Sequence, residues 1–275
     1  MIIVKVLLIV VAAVLLLCAG VTVYTGILLK RRPPTALYGM LTRQAGFLPL
    51  SRIPKRQIEL LVAVEDPTFY THHGFALEGI RKAAEENSRA GRIVRGGSTI
   101  TQQLVKNLYF RFTRSYLRKM SELLIALALE RRLGKARILE MYVNIIYFGN
   151  GIYGINDASR FYFDKAVTDL SLNQMFMLAC IPAVPTRGNP IQHPEVFERV
   201  RNGRLERLIE EKQEVLSPAE MASISAHKSD CLDPDLRKPD NFTRNYPQTV
   251  PLINERFGPF PQSVQHRTNG SIGSL

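Results

Sequence analysis

Two adjacent carboxylates, Glu65 and Asp66, close an apolar stretch and are followed by Pro67, Thr68, two aromatic residues and the pair His72-His73. A carboxylate held among apolar groups is costly to keep ionised and can take up a proton, which makes Glu65 a candidate general base. An isolated Glu-Asp pair is more often a helix end with its charges in water, so the pair alone does not decide. Further along, Gly96-Gly97-Ser98-Thr99 leads into Ile100-Thr101-Gln102-Gln103, with Lys106 and Asn107 later in the same stretch. Glycines ahead of a capped helix expose backbone N–H groups, and the helix dipole favours an anion there. An ordinary polar helix start has the same composition. Arg114, Arg118, Glu122, Ala126 and Glu130 are spaced four apart and share one stripe of a helix, with Lys119 beside Glu122. Cations flanking a carboxylate suit a site that handles a phosphate and a proton. They equally suit a surface ion pair worth about 0.2–0.5 kcal/mol.

The elements that must hold these residues read as helices. Pro54 opens a helical segment at 55–64, since proline suits the first helical position. Pro67 helps to end it, because the residue before proline resists helical geometry. Residues 77–90 have helical spacing and stop at Gly91. Thr99 with Gln102 has capping-box form, which predicts a helix to about 109. Residues 115–133 predict a longer helix, apolar nearly all round over 123–129 and therefore buried, with Gly134 at its end. A further helix is expected over 135–146, before a loop carrying Gly149, Gly151 and Gly154. Ser171 with Gln174 and Ser217 with Glu220 are two more capping boxes, the first opening an apolar helix that stops at Pro182. Pro33-Pro34 stops the preceding helix, and residues 35–52 read as a connector. Strand-like alternation is scarce, so the expected fold class is mainly α. From Cys231 onward recurrent prolines predict an extended or poorly ordered tail.

With 46% apolar residues in 275, the chain can bury a core, which excludes wholesale disorder. Its formal charge of +12 favours an anionic partner: nucleic acid, an anionic membrane surface or a phosphorylated substrate. Residues 6–29 carry no charge and are long enough to cross a bilayer as a helix. A cleaved signal normally has a shorter apolar region of about 7–15 residues. The run at Leu15-Leu16-Leu17-Cys18 has Leu17 where a lipoprotein signal needs a small residue, so an uncleaved anchor is the reading. Cys18, Cys180 and Cys231 form neither a disulfide framework nor a zinc motif. No nucleic-acid motif accompanies the basic charge, and the anchor argues against a nucleic-acid partner.

EDPTFYTHHGFALEGI, GGSTITQQLVKN, RKMSELLIALALE, KARILEMYVNIIYFGNGIYGI and LACIPAVPTRGNP occur in this order within residues 50–215. Together they resemble the five signature motifs of the peptidoglycan glycosyltransferases, family 51 of the glycosyltransferases. The resemblance implies a lysozyme-like, mostly helical domain over 33–215 with a small membrane-embedded jaw. It would lie between an anchor at 1–32 and an extension at 216–275 that starts helical. The implied reaction polymerises lipid II into β-1,4-linked strands, inverts the donor configuration and releases undecaprenyl diphosphate. By the same resemblance Glu65 matches the general base, and Glu122 the second glutamate, which helps the leaving group or orients donor-site cations. Arg114 and Lys119 match contacts to the donor diphosphate. Gln102, Gln103, Lys106 and Asn107 match cleft-lining positions, and Ser98 and Thr99 belong to their motif. No cofactor is required; a divalent cation, Mg or Mn, is compatible as a helper to the diphosphate, without a dedicated metal site.

The implied partners are lipid II, the growing strand, membrane lipid and other cell-wall synthesis proteins. The implied location is the outer face of the bacterial cytoplasmic membrane. Lys30, Arg31 and Arg32 after the span stand in tension with that orientation under the positive-inside rule, although long domains translocate largely regardless of flanking charge. Ala76 stands where the family usually has Asp, and Ser159 where it usually has Ala; neither replaces a matched catalytic residue. Ser225-Ala226-His227-Lys228 has S-x-x-K form, but no K-T-G follows, so a transpeptidase domain is not expected. The competing readings are a lysozyme-like hydrolase or lytic transglycosylase, and a non-catalytic membrane-anchored scaffold.

Overall fold

A computed structural model describes residues 2–44, 46–92, 94–110, 116–211 and 214–226 of the chain. Arg114, the Lys228 of the S-x-x-K match and the proline-rich tail lie outside the described residues.

The first helix, α1 (Ile2–Arg31), has 30 residues and reaches about 45 Å at 1.5 Å per residue. A hydrocarbon core is about 30 Å thick, so roughly a third of the helix is left over. The side chains divide accordingly. Ile2 to Leu17 hold a run of exposed apolar residues, whereas Val21, Thr25 and Leu28, on one helical face, are buried. That inner end packs on α6. Among the described residues this is the one helix long and apolar enough to cross a membrane.

The expected connector is partly helical. Pro34 opens α2 (Pro34–Leu41), with Pro33 extended at φ −61°, ψ 131° before it. The proline pair does stop α1, but Pro34 also sits at a first helical position, where its fixed φ and missing N–H cost nothing. Leu37 and Leu41 then go fully into the core against α6.

The centre is built from α3 (Lys55–Glu65), α4 (Leu77–Ala90), α5 (Ile100–Tyr109) and α6 (Tyr116–Ile145). The Thr99 capping box forms in full, with Gln102 donating its backbone N–H to Thr99 and its side chain accepting the Thr99 N–H. Gly134 interrupts α6 at φ 73°, ψ 168°, which divides it where the sequence suggests. α5 lies along α6, and Leu104, Leu108, Ile125 and Leu129 are fully buried in the core.

The glycine loop after α6 is a hairpin of β1 (Tyr147–Gly149) and β2 (Ile152–Tyr153), antiparallel with Gly149 opposite Ile152. Asn150 at φ 51° and Gly151 at φ 73° make the two-residue turn, and positive φ at both is the tight-hairpin geometry that Asn-Gly favours. Gly149 itself has no room for a side chain, since a Cβ there would lie 2.3 Å from the Pro185 carbonyl oxygen.

Then come α7 (Ile155–Phe163), α8 (Leu172–Cys180), α9 (Pro194–Glu210) and α10 (Pro218–Ala226). α8 packs against α3 and opens with the Ser171 capping box. α10 packs on α8 and α9 with Ile224 in the core, so the packed unit runs past the boundary drawn at 215.

Candidate active site

Glu65 is the last residue of α3, and its side chain is 4% exposed. Its Oε2 accepts from the Gln103 side-chain amide at 2.8 Å. The carbonyl oxygen of that amide accepts from the Tyr142 hydroxyl at 3.2 Å. The Oε1 atom is buried and accepts no hydrogen bond from the described residues. Arg204 of α9 stands 3.8 Å from it through Nη2. Three elements remote in sequence thus converge on one carboxylate, which is held in the protein and not displayed to bulk water.

Asp66 has a different task. Its Oδ2 accepts the backbone N–H of Ile100, the first residue of α5, at 2.9 Å. His72 also reaches that oxygen through Nε2 at 2.8 Å. The Gly74 N–H donates to His72 Nδ1 at 3.0 Å, which leaves Nε2 as the ring N–H and makes it a donor to Asp66. Thr99 closes the loop by donating from Oγ1 to the Gly74 carbonyl at 2.8 Å. Glu130 accepts from Thr101 at 2.6 Å and pairs with Lys135 at 2.8 Å, tying the same helix start to α6. Asp66 and its partners therefore fix the end of α3 against the start of α5, and so set Glu65 opposite Gln103.

The stripe on α6 faces inward. Glu122 is 2% exposed, Ala126 is fully buried, and the Ala126 backbone lies against Gly74. Glu122 pairs with Arg118 through Oε1 and with Lys119 through Oε2, the latter at 3.4 Å. The surface ion pair that the spacing also allowed is excluded for Glu122, because its carboxylate is buried. Lys119 donates in addition to Ser98 Oγ at 3.0 Å, which links the glycine loop to α6. Gly96, Gly97, Ser98 and Thr99 line a cleft with Glu65 and Arg204. Arg95, Arg207 and Glu211 line it too: Arg95 donates to Glu86 at 2.6 Å and to Glu211 at 2.9 Å, and Arg207 pairs with Glu86 at 3.3 Å, joining α9 to α4 and the loop.

Lys106 connects the two halves of the site. Its side chain reaches the surface, yet its pKa is lowered, first by desolvation among the atoms packed about it and then by Arg118, while Glu65 pulls it upward. The pKa of Lys119 is lowered by desolvation, by Arg118 and by Lys106. Lys106, Arg118 and Lys119 thus form one cationic group, and Lys106 feels the charge of Glu65 as well.

Of the other residues singled out in the sequence, Thr99 and Gln102 are buried and engaged in the helix cap. Asn107 donates to the Gln103 carbonyl one turn back, at 3.0 Å. Arg114 lies outside the described residues. Sequence reasoning placed Arg118 on the stripe without giving it a role, and it passed over Tyr142 and Arg204. Arg204 has no local signal, because its contact with Val64 spans 140 residues. Ser159 uses its hydroxyl to donate to the Lys165 carbonyl at 2.7 Å, an interaction alanine could not make. Among the described residues no group of three or more His, Cys, Asp or Glu could hold a metal ion.

The profile of the family described as Transglycosylase matches residues 35–209. The chain is 45% identical to penicillin-binding protein 1A of Aquifex aeolicus over 176 residues, covering 64% of this chain and 24% of that protein. It is 46% identical to penicillin-binding protein 1F of Bacillus subtilis over 146 residues, covering 53% and 20%. It is 43% identical to the biosynthetic peptidoglycan transglycosylase of Thiobacillus denitrificans over 159 residues, covering 58% and 65%. The chain thus spans a quarter or less of these two penicillin-binding proteins and 65% of the shorter transglycosylase.

Proposed function

The chain belongs to the transglycosylase family, the family-51 peptidoglycan glycosyltransferases, and on that premise we propose that it polymerises lipid II into β-1,4-linked glycan. Glu65 Oε1 takes the proton of the acceptor sugar's 4-hydroxyl. The freed oxygen pair forms the bond to the donor's anomeric carbon as the bond to undecaprenyl diphosphate breaks. Attack from the face opposite the leaving group inverts the α-linked donor to a β-linked product, which needs one base on the attacking side. Charge grows on the departing diphosphate, and fixed cations stabilise it with little reorganisation. Lys106, Arg118 and Lys119 suit that task, together with Arg114 by resemblance. Glu122, buried between Arg118 and Lys119, sets their positions and is a poor candidate for a freely exchanging acid.

The observation that carries this reading is that Ser98, which lines one cleft with Glu65, accepts from Lys119, the cation paired with Glu122. Base and cations belong to one site. A hydrolase of preformed glycan needs the carboxylate but has no use for cations gathered at a leaving diphosphate. In this reading α1 is a single-pass anchor, the catalytic unit lies on the extracytoplasmic face, and the lipid tails of donor and acceptor stay in the bilayer. Its other partners are cell-wall synthesis proteins. The substrate's own diphosphate, and no dedicated protein site, would attract any divalent cation.

The test uses the full chain in detergent with lipid II. Polymer is expected from the wild type, and Glu65→Gln is expected to lower the rate by about 10²–10⁴-fold, the usual worth of a general base, with thermal unfolding unchanged. Polymerisation that survives Glu65→Gln, or cleavage of preformed strands by the wild type, would refute the assignment.

A further inference from the structure

The two oxygens of Glu65 are treated differently. Oε2 is fixed by Gln103, whereas Oε1 is buried without a hydrogen bond from the described residues. The group facing Oε1 is Arg204, and its guanidinium makes a second contact that matters. Nη1 donates to the carbonyl of Val64 at 2.7 Å, while Nη2 stands 3.8 Å from Oε1. Val64 immediately precedes Glu65 and lies in the last turn of α3, where carbonyls run out of helical partners and a cation is favoured. Pro67 has no N–H to offer this helix end. One rigid fork thus holds the peptide beneath the base and presents positive charge to the base's open oxygen. At 3.8 Å the second arm is too far to hydrogen-bond, so the lone pairs of Oε1 stay available.

We infer that Arg204 is a positioning residue for the general base: it caps α3 at Val64 and sets a cation beside Oε1 of Glu65 while leaving that oxygen open to the acceptor hydroxyl. The inference rests on Glu65 being the base. Gln103 of α5, held by Tyr142 of α6, occupies the other oxygen of Glu65. Asp66, its neighbour on α3, is occupied by Ile100 and His72. Arg204 is not what docks α9. Phe197 and Leu208 sit in the core, Arg201 donates to the Ile224 carbonyl at 2.6 Å, and Arg207 pairs with Glu86. Charge at position 204 can therefore be removed with the helix in place.

Three variants of the full chain, assayed with lipid II alongside thermal unfolding, test this. Arg204→Gln keeps a donor for the Val64 carbonyl and removes the cation. Its kcat is expected to fall about tenfold with KM within about twofold, the pattern of an interaction felt in the transition state. Arg204→Lys keeps the charge and is expected to retain most of kcat. Both should unfold within a few degrees of the wild type. A wild-type kcat in Arg204→Gln, an equal loss in both variants, or collapse of the Gln variant's fold each overturns the inference, the last two by assigning Arg204 a purely structural role. Glu65→Gln, run in parallel, separates the two levels. If it still polymerises, the base assignment fails; if it is inactive while Arg204→Gln is at full rate, only the role of Arg204 fails.

Discussion

Gln103 donates to Glu65 Oε2 at 2.8 Å while its own carbonyl oxygen accepts from Tyr142 at 3.2 Å. The phenol is completely buried, and desolvation, aided by the charges of Glu65 and Asp66, pushes its pKa well above the ordinary value. It therefore stays a donor across the working range and holds the Gln103 amide with its NH₂ toward the base. Tyr142→Phe removes that hold without emptying the space. The expected stability loss is about 1 kcal/mol, the net worth of one hydrogen bond. In proposed lipid II turnover kcat should fall about fivefold to tenfold at nearly constant KM. A phenylalanine variant with full kcat would show that Gln103 needs no second anchor.

The cationic group sets an alkaline limit. Lys106 and Lys119 both titrate below an ordinary lysine, mainly through desolvation and then through Arg118. Between the lowered folded values and the unfolded value near ~10.4, the unfolded chain binds more protons, so these two groups make stability rise with pH across that window. In the proposed reaction catalysis responds in the opposite sense, because a diphosphate needs protonated amines. We predict that kcat/KM declines while the pH is still below the ordinary lysine value. Lys119→Arg, which keeps its charge at far higher pH, should carry the decline upward. An alkaline limb identical in wild type and variant would remove Lys119 from the diphosphate site.

Arg32 is 4% exposed although it follows the membrane helix directly. It donates from Nη1 to the carbonyl of Leu108 at 3.0 Å, and its own carbonyl accepts from Tyr109 at 2.6 Å. Both partners belong to α5, the helix of Gln103 and Lys106, so the end of α1 is fastened to α5 and is no loose tether. Arg32→Ala is expected to cost about 1.5–3 kcal/mol by leaving a buried carbonyl without its charged donor, measured as a lower denaturation midpoint in detergent. A midpoint within error of the wild type would mean that the anchor is free to swing.

Features written within a few residues of one another were legible in the sequence. The Thr99–Gln102 and Ser171–Gln174 boxes and the break at Gly134 depend on local spacing and backbone conformation alone. The hairpin at Asn150-Gly151 was also locally encoded, but the surrounding glycines read only as a loop because its two strands are too short to show alternation. α2 was hidden by Pro33-Pro34, which signals a stop and a start with the same residues. The stripe of Arg118, Glu122 and Glu130 left surface and interior open, since only packing against Gly74 and Thr101 decides which way a helical face turns. Arg204 was invisible, because nothing near it in sequence refers to α3. The candidate site was thus readable as motifs and not as an arrangement, and its electrostatics arise between elements that the chain brings together only on folding.

Ala76 provides a last prediction. It is the N-cap of α4 at φ −123°, ψ 103°, the extended geometry a capping residue adopts, and no side chain caps the helix there. Glu78 is the acidic residue of the first turn, and it is drawn to Arg81. Aspartate at position 76 would accept a first-turn N–H and add negative charge at the positive end of the helix. Ala76→Asp is expected to stabilise the protein by about 0.5–2 kcal/mol, raising Tm by several degrees. Ala76→Asn supplies the acceptor without the charge and should give most of the gain, with the remaining difference shrinking as salt is raised. Because Ala76 also lines the cleft with Glu65, turnover must be followed in both variants. A cap effect alone leaves Asp and Asn equally active, whereas lower activity only in Asp shows a new carboxylate acting on Glu65. If neither variant raises Tm, the first turn of α4 is already satisfied and the departure from the family's aspartate has no structural cost.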